Sequence, residues 1–344
     1  MKGQTYLWQK PFCLDDTRTH TMGDSLVRYL GIKVHQYVDE KKYERIDVVG
    51  DYDRDSAVLS RKEKTDKQWN WQRPTATVKN GVLTIRCYPG QDYVRHYAAL
   101  LSTYLSLTGR SASSVRYRLP SEDDCWKPLL RSRLSNLRVH DTVVLGVELR
   151  RIFEDVEWKH DSPILYGVYN GLRSSRTTLL MVEHSFWGDI AGRLTRLLAQ
   201  RGAKRIVFVG KLGSLNPRHV PNTIMATGNR TVVEGEAISW KNHFAGISDG
   251  CLRRGGHVTV PSVLFETRSW LKTALGLYAF VDPEIGHMAR AAIRAGIEFS
   301  YLHIVSDNVA KKFSEDLSNE RDLIIREKRD RLFNHARRIL QAVV

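Results

Sequence analysis

Two acidic residues are spaced so that they could act on one substrate. Glu284 follows Val281-Asp282-Pro283, and Asp307 follows Val305-Ser306 at the end of another apolar run. A helix and a strand fit between them, so the two carboxyl groups flank one helix–strand unit and can converge on a single pocket. Two carboxyls in one pocket can serve as a proton donor and as a charged ligand. A second group is cationic: Arg150 follows Gly146 and Glu148, while Lys211 sits between Gly210 and Gly213. At adjacent strand ends, these cations and the glycine amides would gather an anion, either inorganic phosphate or a phosphate carried by the substrate. The plainer reading of Ser306-Asp307 is a cap for a following helix.

The elements that must position these groups become regular from Asp141 onward. Residues 141–148, 165–171, 177–184, 206–215, 256–265 and 299–308 read as strands. Residues 190–202, 289–296 and the amphipathic stretch from Ser318 to Val344 read as helices. Such alternation implies a largely parallel sheet with ligands beyond its carboxyl ends. Glu148, His184, Ser185, Lys211 and Asp307 fall at those ends, with residues 210–214 read as a glycine-rich turn. The first 139 residues are less regular. They hold a polar run over 60–74, a hairpin over 75–90 with the turn signal Asn80-Gly81, and a helix over 92–107 that stops before Gly109. The acidic stretch Ser121–Asp124 and the basic residues 129–140 read as a connector. The expected architecture is therefore α/β. A domain over 140–344 has a central mixed sheet flanked by helices, and an α+β domain over 1–139 precedes it with no legible chemistry.

Over about residues 141–344, the Glu284 motif and the Val305-Ser306-Asp307 strand end resemble the nucleoside phosphorylase and nucleosidase superfamily. That family includes the hexameric bacterial purine nucleoside phosphorylases and the methylthioadenosine nucleosidases; a V-E-M-E motif there precedes a strand ending in V-S-D. The resemblance implies a phosphorylase-type sheet, with Glu284 on ribose hydroxyls and Asp307 as the general acid at purine N7. Breaking an N-glycosidic bond builds positive charge on the sugar and negative charge on the base. A carboxylate assists the first, and a carboxylic acid relieves the second. Asp307 must then hold a proton near neutrality, which a desolvated pocket provides.

Further positions are carried over by the same resemblance. Gly146 and Arg150 match the ends of a G-D-P-x-R phosphate turn. Glu148, which with Val147 replaces Asp-Pro, lies in the turn where the nucleosidases keep a water-activating Glu. Gly210 and Gly213 match a V/T-G-S-x-G turn, with Lys211 in place of the Ser and Phe208 in place of a second phosphate-binding Arg. Pro283 replaces the motif's Met and is assigned to the pocket wall. His184 and Ser185 fall on a sugar or phosphate loop and Phe265 near the base-stacking segment. Arg329 resembles the final-helix partner of the catalytic Asp.

The implied activity is cleavage or exchange of the N-glycosidic bond of a purine nucleoside or nucleotide, with phosphorolysis ahead of hydrolysis. Inorganic phosphate would be a co-substrate, no cofactor or metal is required, and the chain is expected to form a homo-oligomer. A non-catalytic nucleotide-sensing or nucleic-acid-associated protein is the rival reading. Composition agrees with the first. The net charge of +15 over 344 residues is spread along the chain, which favours anionic partners, and no zinc-finger or RNP-like pattern points to nucleic acid. No apolar run is long enough for a membrane span or a leader. The four cysteines are far apart, as reduced thiols in a cytoplasmic protein would be.

Overall fold

The computed structural model describes residues 7–171 and 175–344; the first six residues, part of the stretch read above for a leader, lie outside it. The N-terminal half contains α1 (Ser25–Gly31), α2 (Gln36–Glu40), β1 (Arg45–Val49), β2 (Thr75–Lys79), β3 (Val82–Arg86), α3 (Gln91–Leu107), β4 (Val115–Arg118) and α4 (Glu122–Arg131). The strands form one sheet in the order β2-β3-β1-β4, and the β2–β3 hairpin turns at Asn80 and Gly81, both at positive φ. Asn-Gly tolerates that geometry, which is why the hairpin was legible. The stretch read as a connector is instead a helix. Ser121 Oγ accepts from the Asp124 amide and Asp124 accepts from the Ser121 amide, a capping box that starts α4.

The second half supplies β5 (Thr142–Gly146), α5 (Leu149–Ile152), β6 (Trp158–Asp161), β7 (Ile164–Asn170), β8 (Arg176–Val182), α6 (Asp189–Gln200) and β9 (Arg205–Ser214). Short strands follow: β10 (Met225–Thr227), β11 (Arg230–Val233), β12 (Glu236–Ser239), β13 (Leu252–Arg254) and β14 (His257–Thr259). Then come α7 (Arg268–Ala274), β15 (Phe280–Asp282), α8 (Ile285–Arg294), β16 (Glu298–Asn308) and α9 (Leu323–Gln341). The described strands join in a mixed sheet, β12-β11-β14-β15-β9-β5-β8-β7-β6, with β16 beside β9. β8, β5, β9 and β16 run parallel, while β7 and β15 enter antiparallel. The architecture is thus mixed α/β with helices against the sheet.

Two local readings change. Residues 210–214 are no turn: β16 is long and apolar and pairs with β9 as far as Ser214, so Lys211 lies within a strand. Residues 256–265 form a strand only over His257–Thr259. Pro261 has no amide to offer a ladder, and Ser262 caps a 3₁₀ turn at Val263–Phe265.

The hydrophobic cores cross the middle of the chain. The larger core runs from Val143 to Leu340 and takes in Trp69, Leu129 and Leu134. The smaller core, built on Leu83, Leu100 and Ile46, takes in Ile190, Val263 and Leu264.

Candidate active site

β9 and β16 set the site. Their parallel ladder slips between Val305 and Asp307, so a bulge at Ser306 re-aims the strand end where Asp307 sits. β15 ends at Asp282, whose carboxylate accepts the amides of Glu284 and Ile285 and so starts α8 with Glu284 at its N-cap. Buried His257 stands beside Asp282, with Nε2 3.1 Å from Oδ1 but no hydrogen bond between them. Asp307, Glu284, Pro283, Lys211, Gly210, Gly213 and Glu148 all line one cavity. The predicted carboxyl pair is brought together.

Burial raises three of the lining carboxyls. Burial pushes Asp307 up to about 6; the Ser306 hydroxyl, 2.8 Å from Oδ1, opposes the shift, and Asp316 adds to it. Burial, with Asp282 alongside, pushes Glu284 well above the carboxylate range. Glu266 is raised well above it as well, by burial and then by Asp307. Glu148 lines the cavity too. It stands at φ +56, a strained position for a side-chain-bearing residue, and its carboxylate has no hydrogen bond or ion pair among the described residues.

The opposite wall is cationic and comes from the half that showed no chemistry. Lys33, Lys64 and Lys67 line the same cavity as Lys211. Lys64 Nζ lies 2.9 Å and Lys67 Nζ 3.8 Å from Glu320 Oε1, and Lys211 bonds Oε2 of the same residue. Arg329 Nη1 is 3.8 Å from Oε2. One carboxylate therefore faces four cations. Burial would raise Glu320, but Lys211, Lys64, Lys67 and Arg329 hold it well below the usual range. Burial lowers Lys211 and Lys33 to about 7 each. Lys33 stands over the Tyr29 ring, 4.4 Å from its centroid, with no carboxylate within 4.0 Å among the described residues. Aromatic rings close the space. Trp69 packs on Phe186 at 4.5 Å and Phe186 on Phe208 at 5.3 Å, and all three line the cavity.

Several expected site residues lie elsewhere. Arg150 is exposed on the short α5 and does not line the cavity, because its neighbours Leu149 and Ile152 take the buried face. Gly146 is glycine for packing: at φ +151, a Cβ would meet the Val209 carbonyl oxygen at 1.8 Å. His184 is buried and stacks on Tyr88 at 4.0 Å, with Nδ1 2.8 Å from the Ser185 carbonyl; burial pushes it down to about 4. Ser185 is buried beside it, also off the cavity. Phe265 is half-exposed and stacks on Phe12 at 5.2 Å, away from Asp307's cavity. Arg329 is buried on α9 but addresses Asn222 Oδ1 at 2.7 Å and Glu320, not Asp307.

The residues missed were Lys33, Lys64, Lys67, Glu266 and Glu320. Lysine density in the irregular run over 60–74 was a signal for Lys64 and Lys67; Lys33, Glu266 and Glu320 carried none. Among the described residues, the side chains able to share a metal ion, Asp249, Cys251 and His335, lie outside this cavity. No described helix is long and apolar enough to cross a membrane.

No family model matches the sequence. The chain is 27% identical over 257 residues to the oxidoreductase cns1 of Cordyceps militaris, a match covering 65% of this chain and 32% of that protein. The chain thus spans about a third of the curated relative's length. Solved structures similar to it include the 5'-methylthioadenosine/S-adenosyl homocysteine nucleosidase of Campylobacter jejuni, with a TM-score of 0.45 and 13% identity over 59% of this chain and 99% of that one. The futalosine hydrolase of Helicobacter pylori has a TM-score of 0.45 and 11% identity, covering 60% and 97%. The uridine phosphorylase of Vibrio fischeri has a TM-score of 0.47 and 12% identity, covering 61% and 92%.

Proposed function

We propose that this chain cleaves the N-glycosidic bond of a purine nucleoside or nucleotide, with Asp307 as the general acid and Glu284 on the sugar hydroxyls. The observation that carries the reading is one cavity lined by both carboxyls, in which burial holds Asp307 up at about 6. A carboxyl in that range keeps its proton long enough near neutrality to give it to a departing base. Trp69, Phe186 and Phe208 offer the apolar faces that a planar base requires.

Water is the better acceptor. Glu148 lines the cavity with a free carboxylate, as a base for water would, whereas Arg150 stands outside it and Lys211 is engaged by Glu320. Lys33 lines the cavity with no carboxylate within 4.0 Å among the described residues, and a cation left over there favours a substrate bearing its own phosphate over a plain nucleoside.

The test is base release from paired nucleosides and 5'-nucleotides, with and without inorganic phosphate. Free ribose or ribose 5-phosphate at equal rates in both buffers supports hydrolysis. A strict phosphate requirement with a sugar 1-phosphate product would return the reading to phosphorolysis, and no base release from any purine substrate would end it.

A further inference from the structure

A second chemical constellation lies outside the cavity, where the turn into β13 meets α9. Cys251 Sγ is 3.8 Å from Nε2 of His335, and Nδ1 of the same ring lies 3.1 and 3.0 Å from the two oxygens of Asp249. Asp249 is fixed in turn by the Cys251 amide, which donates to Oδ1 at 2.8 Å. The order is sulfur, imidazole, carboxylate, with the outer groups on opposite ring nitrogens. That is the arrangement of a nucleophile, its base and the group that orients the base.

We propose that Cys251 is a covalent modification site for small soft electrophiles reached from solvent, with His335 as its base and Asp249 as the positioning residue. The ring donates Nδ1–H to Asp249, which leaves the Nε2 lone pair facing the thiol. The thiol proton passes to Nε2 as sulfur attacks. With an alkyl halide, the S–C bond forms as the carbon–halogen bond breaks, and halide leaves. With hydrogen peroxide, the S–O bond forms as the O–O bond breaks. The departing hydroxide takes the imidazolium proton and leaves as water, so the thiol is oxidised to a sulfenic acid and the peroxide is reduced.

The surroundings fit this reading. Cys251 and His335 are half-buried, open enough for a small reagent. Burial raises the Asp249 carboxyl, but the His335 bond and the Cys251 amide outweigh it and keep it ionised below the usual range. Arg338, one turn along α9, sets Nη2 3.7 Å from Asp249 Oδ2, a second cation beside the carboxylate that orients the ring; its 2.9 Å approach to His335 Nδ1 is a contact of two donors when Nδ1 carries the proton, not a hydrogen bond. The other three cysteines lack an imidazole partner. Cys87 and Cys125 are buried, and burial pushes Cys125 up to about 12. Cys13 is as open as Cys251, but burial and the Asp15 carboxylate, 3.2 Å from Sγ, raise it.

The same three side chains have donor atoms within 4.8 Å of one another, close enough for a metal ion. Two features favour the thiol. The carboxylate addresses Nδ1 while the sulfur addresses Nε2, so the contacts do not converge on one point between three donors. A guanidinium also stands against the carboxylate a cation would need.

The experiment is per-cysteine alkylation of the folded chain with iodoacetamide, read by peptide mass spectrometry, with Cys13 as the internal reference. Cys251 should react roughly tenfold or more faster than Cys13, the low end of what a placed base gives. His335→Gln and Asp249→Asn should each remove most of that advantage while leaving the Cys13 rate and the circular dichroism unchanged. If His335→Gln fails to fold, Asp249→Asn alone decides, because it leaves the ring in place. Hydrogen peroxide should give a dimedone-trapped sulfenic acid at Cys251 before any at Cys13. Equal rates at Cys251 and Cys13, or a Cys251 rate that survives both substitutions, overturns the proposal. So does stoichiometric zinc binding that blocks Cys251 and is lost in His335→Gln, which would make the cluster a metal site.

Discussion

The Nζ of Lys64 lies 2.9 Å from Oε1 of Glu320, although 256 positions separate them along the chain. The contact ties an irregular, lysine-rich run to the segment between β16 and α9. It also defines the cationic wall of the cavity in which Asp307 and Glu284 sit.

Asp307→Asn should lower kcat by about 10²–10⁴, the usual worth of a placed general acid, with a much smaller change in KM. An acid must be protonated to act, and burial holds Asp307 at about 6. kcat/KM should therefore fall as pH rises through about 6, and Asp307→Asn should lose that limb of the profile. The stability sign is opposite to that of a salt-bridged carboxylate. The folded value lies above the ordinary aspartate value of 3.8, so this group's contribution is full below that value and lost as pH rises through about 6. Asp307→Asn should then melt higher than the wild type at pH 8. A melting temperature unchanged or lowered there would remove the buried-acid account.

Glu284→Gln should lower kcat more than it raises KM, since a grip on the ribose hydroxyls strengthens as the sugar gains positive charge. A 2'-deoxy substrate already lacks one partner and should show a smaller penalty from the same change. Equal penalties on ribo- and deoxyribo-substrates would move Glu284 off the sugar.

Glu148→Gln separates the two acceptors. If Glu148 activates water, its removal should cut base release by about 10²-fold or more in phosphate-free buffer. Phosphate should then restore nothing. A variant that keeps its rate, or one rescued by added phosphate, would place the acceptor elsewhere.

Glu320→Gln leaves Lys64, Lys67, Lys211 and Arg329 facing one another without their shared carboxylate. Removing one partner from a buried charged cluster costs about 3–5 kcal/mol, so thermal melts should fall sharply. A purine 5'-nucleotide should raise the melting temperature of this variant more than that of the wild type, because its phosphate supplies the missing charge. Equal shifts for nucleotide and nucleoside would show that the lysines do not read a phosphate.

Gly146→Ala tests packing against ligand binding. The added methyl meets the Val209 carbonyl, which also accepts the Val147 amide at 2.9 Å, so stability should drop by roughly 3 kcal/mol or more. Phosphate should not alter the size of that drop.

Strong local patterns survived folding. Asn80-Gly81 marked a hairpin because few residues accept positive φ, and the alternating strands and helices after Asp141 gave the mixed sheet. Glu284 and Asp307 were legible because one short helix–strand unit separates them, leaving the chain little freedom to part them. Lys64 and Glu320 were not, since nothing in either local sequence encodes a contact over such a distance. The placing of Arg150 and the conformation around Lys211 were hidden for a subtler reason. The turn expected at Gly210–Ser214 is a continuing strand, fixed by pairing with β16, and Arg150's direction follows from which neighbours on α5 are apolar.

The cavity wall is drawn from Tyr29 through Glu320, with lysines from early in the chain and acids from late in it. During synthesis, Lys33, Lys64 and Lys67 leave the ribosome long before Asp307 and Glu320 exist. Lys64 and Lys67 stay solvated without their counter-charge until the segment after β16 arrives. A ribosome that stalls before Asp307 releases a product lacking both that carboxyl and Glu320, so the full lining of the cavity exists only once translation has passed Glu320.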